Sequence, residues 1–230
     1  MPSLTSILDY SSFFNANGFK AGATLKKNQD LSSRRFNLTK NLGMNPNLLA
    51  IPEQVHSCRV IKIDKPGGYG NIDGLVTLNK KIVLSIQTAD CVPIFLFDKK
   101  TQIFGLVHAG WRGTLLGIAG KTIKIFIKYG ADPANIQVLL GPSIGQCCFE
   151  TGPDVWKKFP EEFLLKGKKD RYYIDLSGSI KAEFLAGGLK PDLISSVPQC
   201  TFCGVERFPS FRRDGANAGR MAAVCGWVYP

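Results

Sequence analysis

The segment CVPIFLFDKKTQIFGLVHAGWRG, residues 91–113, begins with a cysteine and reaches a histidine after one short turn. Asp98 and Thr101 suit the ends of a two-residue hairpin loop, because aspartate is favoured at the first position of a type I turn. In that register Cys91 faces His108 across two strands, on the same side of the sheet, with Cβ atoms about 5 Å apart. The segment therefore predicts a thiol beside an imidazole.

A thiol beside an imidazole allows two kinds of chemistry. The imidazole can act as the base that activates a cysteine nucleophile. The same pair supplies half of a zinc site, and a third ligand would leave a fourth position open for water. The chain has two histidines, and the other one, His56, precedes a predicted strand. Cys91, His108 and His56 are thus candidate zinc ligands; the alternative is a cysteine that packs as a small apolar side chain beside two hydrogen-bonded histidines.

Two charged residues near these strands are candidates to support the site. Asp73, in NIDGLVT, would hold His108 or His56 by a hydrogen bond, or serve as a base. Arg112 follows the strand that carries His108, and a guanidinium can bind phosphate through two hydrogen bonds. An ion pair at a corner of the sheet is the structural alternative for Arg112.

The seven cysteines lie in a chain of 230 residues. Residues 1–20 lack the pattern of a secretion signal, so we expect reduced thiols and a cytoplasmic location. Cys200 and Cys203 form a C-x-x-C, and because the sequence has no second such pair, we interpret it as structural or incidental rather than as a zinc ribbon. Cys147 and Cys148 are expected to pack rather than react.

The composition is that of an ordinary globular protein, with 44% hydrophobic and 20% charged residues. Its apolar runs are too short to cross a bilayer. The net charge is +11, but Lys and Arg are scattered, and no nucleic-acid-binding motif is visible. We therefore expect a lysine-rich surface, with neither nucleic acid nor a membrane as a partner. The oligomeric state cannot be read from the sequence.

Two runs, KIVLSIQ and VPIFLFD, are almost continuously apolar, which is typical of strands buried on both faces. Apolar spacing predicts helices over residues 32–42, 114–130 and 177–186. No repeat, low-complexity linker or domain boundary is visible. Mixed hairpins and helices favour an α+β sandwich in one domain spanning residues 1–230.

Five segments follow one another in an order that resembles the bacterial laccase-domain family: EQVHS, TADCVPIFLFD, GLVHAGWRGTLLGI, LLGPSIGQCCFETG and FRRDGANAGRMAAV. That family is often labelled multicopper polyphenol oxidase and has been reassigned as zinc-dependent purine nucleoside phosphorylase and adenosine deaminase. The resemblance implies a four-layer α-β-β-α sandwich of the cysteine-hydrolase-like type. It also implies activity on adenosine, inosine and methylthioadenosine, with phosphate as a second substrate.

The resemblance implies functional residues as well. The family's metal ligands are the histidine of QVH, the cysteine of TADC and the histidine of HAGWRG, which fall here on His56, Cys91 and His108. The segment SSRRFNLTKNLG resembles a family helix that carries an Asn-Arg pair, which implies that Arg34 contacts a substrate anion. Ser33 stands where the family has the asparagine.

Three other functions remain open at this point. A laccase binds several copper ions through many imidazoles, which two histidines cannot supply, so zinc is preferred over copper. A metal-free cysteine hydrolase would use Cys91 as nucleophile and His108 as base, for example as an amidase that edits peptidoglycan precursors. A protein that binds a ligand without chemistry is the third. Replacement of His56 would abolish a zinc activity but only modestly affect a Cys–His pair.

Overall fold

The computed structural model describes residues 7–25 and 30–228, and within them the chain forms fifteen strands. The strands are, in chain order, β1 (Ile7–Asp9), β2 (Phe19–Thr24), β3 (Leu49–Pro52), β4 (Val60–Lys62), β5 (Gly67–Tyr69), β6 (Gly74–Thr77), β7 (Val83–Thr88), β8 (Val92–Asp98), β9 (Phe104–Ala109), β10 (Ile136–Leu140), β11 (Glu150–Thr151), β12 (Leu164–Lys166), β13 (Tyr172–Ile174), β14 (Ile194–Ser196) and β15 (Met221–Trp227).

The described residues also form six α-helices: α1 (Leu31–Asn41), α2 (Trp111–Leu115), α3 (Ile118–Lys128), α4 (Pro153–Trp156), α5 (Leu176–Ala186) and α6 (Phe211–Asp214). One helix was predicted over residues 114–130, but the structure has two, α2 and α3, so the prediction was wrong at its start. Gly117 adopts a left-handed conformation with φ 75°, which separates α2 from α3. Among the residues described, no helix is both long and apolar enough to cross a membrane.

Two six-stranded sheets pack face to face between outer helices. The first sheet has the order β1-β2-β15-β7-β3-β5 and the second β14-β10-β8-β9-β6-β4, both with parallel and antiparallel pairs. Aromatic residues of both sheets, such as Phe19 and Phe97, fill the layer between them. Leu38 of α1 packs on the outer face of the first sheet, and Phe126 of α3 with Phe184 of α5 covers the outer face of the second. The predicted α+β four-layer sandwich with mixed sheets is confirmed.

The β8–β9 hairpin has a longer loop than predicted. Phe97 pairs with Phe104 and Pro93 with His108, so the two-residue loop and the direct Cys91–His108 pairing were wrong. The longer loop is stabilised at its ends: Gln102, with φ 62°, donates its N–H to the carbonyl oxygen of Asp98 at 2.8 Å. The register differs from the prediction by two positions. Because side chains alternate with a period of two, Cys91 and His108 still lie on the same face of the sheet.

A candidate metal-binding active site

A cavity of about 610 Å³ opens at the edge of the sheets where β7 ends, β8 begins and β9 ends. Cys91 immediately precedes β8, and His108 lies near the end of β9. Both side chains line the cavity, together with His56 from the loop between β3 and β4. The cavity therefore brings together three residues from separate parts of the chain.

His56, Cys91 and His108 place their potential ligand atoms within 4.8 Å of one another. The two imidazole rings meet edge to face, with centroids 4.9 Å apart. His56 is exposed and His108 is buried, so the group reaches from the protein interior to the open cavity. One sulfur and two nitrogen donors beside an open space fit the three protein ligands of a catalytic zinc site.

Asp73 orients both histidines. Its buried carboxylate accepts hydrogen bonds from Nδ1 of His108 at 2.8 Å and from the backbone N–H of His56 at 3.0 Å. The N–H and hydroxyl groups of Ser57 donate to its other oxygen at 2.6 and 2.7 Å. These bonds leave Nε2 of His108 as the ring nitrogen available to a metal, and they engage both carboxylate oxygens of Asp73. The geometry supports an orienting role for Asp73 rather than that of a base facing the cavity.

Gly110 allows the backbone after β9 to approach the three residues. A Cβ atom at this position would lie 3.0 Å from Sγ of Cys91 and 3.2 Å from Cδ2 of His56. Both distances are shorter than normal van der Waals contacts between such atoms. A larger residue here would push the ligand side chains apart.

The thiol and the imidazole stabilise each other's charged forms. Burial alone would raise the pKa of Cys91, but the positive charge of His108 and hydrogen bonds from both histidines lower it to about 6. Burial alone would lower the pKa of His108, but the charge of Cys91 and the bond to Asp73 raise it to about 9. Without a metal, the site thus holds a thiolate and an imidazolium near neutral pH. A thiolate is the form of cysteine that binds a metal.

Three arginines border the cavity: Arg112, Arg212 and Arg220. The guanidinium of Arg112 lies 4.3 Å over the Trp111 ring, which holds it beside the opening. Arg112 was predicted from the sequence as an anion contact, whereas Arg220, in the motif FRRDGANAGRMAAV, was assigned no role. The three cations make the cavity suited to an anion such as phosphate.

Arg34 is not among the residues that line the cavity. It is buried on α1, and its guanidinium donates a hydrogen bond of 2.5 Å to the carbonyl oxygen of Arg220. Arg34 therefore contacts the backbone of a cavity arginine. Its direct contact with a substrate anion stays a prediction.

The apolar part of the cavity lining consists of Trp111, Ile144, Phe149 and Phe211. Gln54 and Gln87 line a polar part and are joined by two hydrogen bonds of 2.8 Å, each between the side chain of Gln54 and the backbone of Gln87. Aromatic rings can stack on a flat heterocycle. The cavity thus combines a potential metal site, anion-binding arginines and an aromatic wall.

Asp90, directly before Cys91, braces this wall. It adopts a left-handed conformation with φ 80°, and its carboxylate accepts hydrogen bonds from the Thr201 hydroxyl at 2.6 Å and the Ser210 hydroxyl at 3.0 Å. The N–H of Arg212 also donates to it, at 2.7 Å. Asp90 thereby ties the segment carrying Cys91 to the C-terminal part of the chain.

Similar proteins are known from sequence and structure. A family model described as multi-copper polyphenol oxidoreductase laccase matches residues 16–228. Adenosine deaminase RL5, from an unknown prokaryotic organism, is 35% identical over 203 residues, which cover 81% of this chain and 78% of that protein. A purine nucleoside phosphorylase of Deinococcus radiodurans is 33% identical over 215 residues, which cover 90% and 82%. The crystal structure of the Bacillus licheniformis hypothetical protein YfiH matches with a TM-score of 0.89 at 26% identity and covers 96% of both chains.

Proposed function

Since the chain belongs to the multi-copper polyphenol oxidoreductase laccase family, we propose that it is a zinc-dependent purine nucleoside phosphorylase with adenosine deaminase activity. Relatives carrying those two names support the reaction type. The observation that carries the proposal is the convergence of His56, Cys91 and His108 on a cavity bordered by three arginines. Adenosine, inosine and methylthioadenosine are the proposed nucleosides.

Zinc is the proposed metal, held by His56, Cys91 and His108. One thiolate and two imidazoles suit zinc, whereas the chain's two histidines are too few for the imidazole ligands of several coppers. When bound, zinc supplies a Lewis acid that lowers the pKa of nearby water toward neutrality, which serves attack at C6 of adenosine. Asp73 keeps the proton on Nδ1 of His108 and fixes the orientation of that ring.

The remaining residues are proposed to bind the two substrates. In phosphorolysis a phosphate oxygen attacks C1′ of the ribose while the bond to the purine breaks. Arg112, Arg212 and Arg220 supply positive charge for that phosphate, and Arg34 holds the backbone of Arg220 through its hydrogen bond to the carbonyl oxygen. The exposed ring of Phe211 is the proposed surface on which the purine stacks. Deamination needs no phosphate. We therefore expect the three arginines to be required for phosphorolysis but not for deamination.

The proposal extends to the chain as a whole. Residues 1–230 would act as one domain, in the cytoplasm, with nucleosides and phosphate rather than nucleic acid or a membrane as ligands. The substrate cavity draws on residues between positions 54 and 220, which supports one cooperative unit.

A second candidate function is a metal-free cysteine hydrolase acting on amide bonds, such as those of peptidoglycan precursors. It is favoured by one observation: Asp73, His108 and Cys91 form a chain of interactions in which the pKa of the thiol is lowered to about 6. Cys91 would attack the carbonyl carbon, and His108 would donate the proton to the leaving amine. His56 has no required role in this reaction.

The decisive experiment combines metal content with turnover of adenosine, and of inosine with phosphate. We expect Cys91→Ala and His56→Ala each to contain one zinc equivalent less than the wild-type protein and to lose both activities. Cys58→Ser is the matched control, because Cys58 lies outside the three-residue group. If His56→Ala kept amide hydrolysis without zinc, the cysteine hydrolase would replace the phosphorylase.

A further inference from the structure

A second group of thiols lies outside the three-residue site. Cys147, Cys148, Cys200 and Cys203 place all four Sγ atoms within 4.8 Å of one another. Sγ of Cys203 is 3.3 Å from that of Cys148 and 3.9 Å from that of Cys147, and all four thiols are free. Sulfur ligands in tetrahedral zinc sites, with Zn–S bonds of about 2.3 Å, lie about 3.8 Å from one another. The observed distances between the Sγ atoms therefore need only small changes to reach the spacing of a tetrahedral zinc site.

A backbone contact between distant segments brings the four cysteines together. Ser143 and Cys200 form a parallel bridge, and the N–H of Thr201 donates to the carbonyl oxygen of Ser143 at 2.9 Å. This contact places the adjacent pair Cys147–Cys148 against the C-x-x-C. The sequence contains no second C-x-x-C. The neighbour of the first is instead a Cys-Cys pair, which only the tertiary structure brings close.

The backbone at Gly145 lies close to the thiols of the cluster. Its N–H donates a hydrogen bond to Sγ of Cys200 at 3.2 Å, an interaction that a metal-bound thiolate accepts well. A Cβ atom on Gly145 would lie 3.2 Å from Sγ of Cys147 and 3.3 Å from Cβ of Cys200, closer than normal contacts. A larger residue at this position would therefore displace the thiols by a few tenths of an ångström.

Arg213 braces the C-x-x-C from the other side. Its guanidinium donates to the carbonyl oxygens of Thr201 at 3.1 Å and Phe202 at 3.0 Å, the two residues between the cysteines. The same guanidinium is paired with the carboxylate of Asp214 at 2.8 Å, so its contribution to the C-x-x-C is to hold the backbone between the two cysteines in place.

We propose that Cys147, Cys148, Cys200 and Cys203 bind a structural zinc ion, distinct from the zinc proposed for the cavity. Four sulfur ligands leave no open position, which is the arrangement of structural zinc sites. Binding exchanges thiol protons for the cation and joins residues 143–149 to residues 200–213. These two segments carry the cavity residues Ile144, Phe149 and Arg212, so the ion would fix part of the cavity lining.

Metal counting tests the proposal on protein purified anaerobically with reductant and supplied with zinc. We expect two zinc equivalents in the wild-type protein and in Cys58→Ser, and one in the double variant Cys147→Ser/Cys203→Ser. The double variant should retain the equivalent that Cys91→Ala loses. Equal zinc content in the double variant and the wild-type protein would overturn the proposal.

A second measurement does not require the double variant to fold. Cys91→Ala leaves the four-cysteine cluster unchanged, and this variant is loaded with Co²⁺. The cluster should then give intense sulfur-to-cobalt charge-transfer absorption in the near ultraviolet. The metal should also protect all four thiols from alkylation. Absence of that absorption, or recovery of the cluster as disulfides from reduced and metal-supplied protein, would overturn the proposal. Both outcomes are independent of nucleoside turnover, so they leave the proposed function untouched.

Discussion

At the scale of single residues, Asp73 contacts both histidines of the candidate metal site. Its carboxylate holds the ring of His108 and the backbone of His56 at the same time. Hydrogen bonds from His108 and Ser57 keep its pKa below the ordinary value although burial acts in the opposite direction. Asp73 is therefore ionised over the whole neutral range, and its stabilising effect is lost only as the pH falls through that lowered pKa.

Asp73→Asn should weaken zinc binding by about 10- to 100-fold, because an amide no longer accepts all of these hydrogen bonds and orients His108 less firmly. Competition with a chelating dye measures the affinity. The control is Asp170→Asn, the same change at an exposed position. Unchanged affinity in Asp73→Asn would show that the histidines do not need this carboxylate.

The ion pair of Cys91 and His108 predicts a pH profile for the metal-free protein. Alkylation of Cys91, followed by mass spectrometry of its peptide, should rise with pH to half its maximum near pH 6, because the thiolate forms above its pKa of about 6. His108→Gln removes the imidazolium and should move this midpoint upward by about 1 to 3 units. A wild-type midpoint in the range of ordinary thiols would contradict the pair.

The sequence was sufficient to select candidate site residues by type, but not to identify every group that lies next to them. Cys91, His108, His56 and Asp73 were selected from their types and their places beside strands, and the structure brings all four together. The cluster around Cys200 was not recognised, because it depends on a bridge between Ser143 and Cys200, which no local pattern reveals.

At the scale of elements, the β8–β9 hairpin and the backbone that follows it determine how closely the ligands approach. The strands were predictable because their residues are apolar on both faces, and all seven residues of β8 are buried. The length of the loop was not predictable, because Gln102 adopts a left-handed conformation that is uncommon for a non-glycine residue. The resulting shift of two positions preserved the face of each side chain, so Cys91 and His108 lie close together despite the error in register.

Gly110→Ala should lower zinc affinity by about tenfold or more while leaving the fold intact. Its φ of −83° is accessible to alanine, but the added Cβ crowds Cys91 and His56, and crowding of a packed site typically costs about 1 to 3 kcal/mol. Isothermal titration with zinc and thermal unfolding of the apo protein measure the two effects. Gly68→Ala is the control, because a Cβ there meets no atom within 4 Å.

At the scale of the whole molecule, the proposed anion site is assembled from distant parts of the chain. Arg112 follows β9, Arg212 lies on α6 and Arg220 immediately precedes β15. The net charge of +11 adds a positive field that attracts phosphate at long range and is screened by salt. Sequence reasoning found the motif around Arg220 but not its role, because its place in the cavity depends on how β15 enters the first sheet.

Arg220→Gln should raise the KM for phosphate in inosine phosphorolysis by about 10- to 100-fold, the effect of losing a charged hydrogen bond of about 1.5 to 3 kcal/mol. Adenosine deamination should change by less than about threefold, since it uses no phosphate. Steady-state kinetics of both reactions make the comparison. Arg171→Gln removes the same charge from an exposed position and should alter neither reaction; parallel losses in both reactions of Arg220→Gln would contradict a phosphate-specific role.

The position of β15 has a consequence for how the protein is made. This strand pairs with β2 on one side and β7 on the other, so the middle of the first sheet is supplied by residues 221–227. A nascent chain still lacking these residues exposes the unpaired edges of both neighbours, which are the surfaces on which strands of other chains add. During synthesis the centre of this sheet is therefore completed only after β2 and β7 have been made, and until then both edges are open to pairing with other chains.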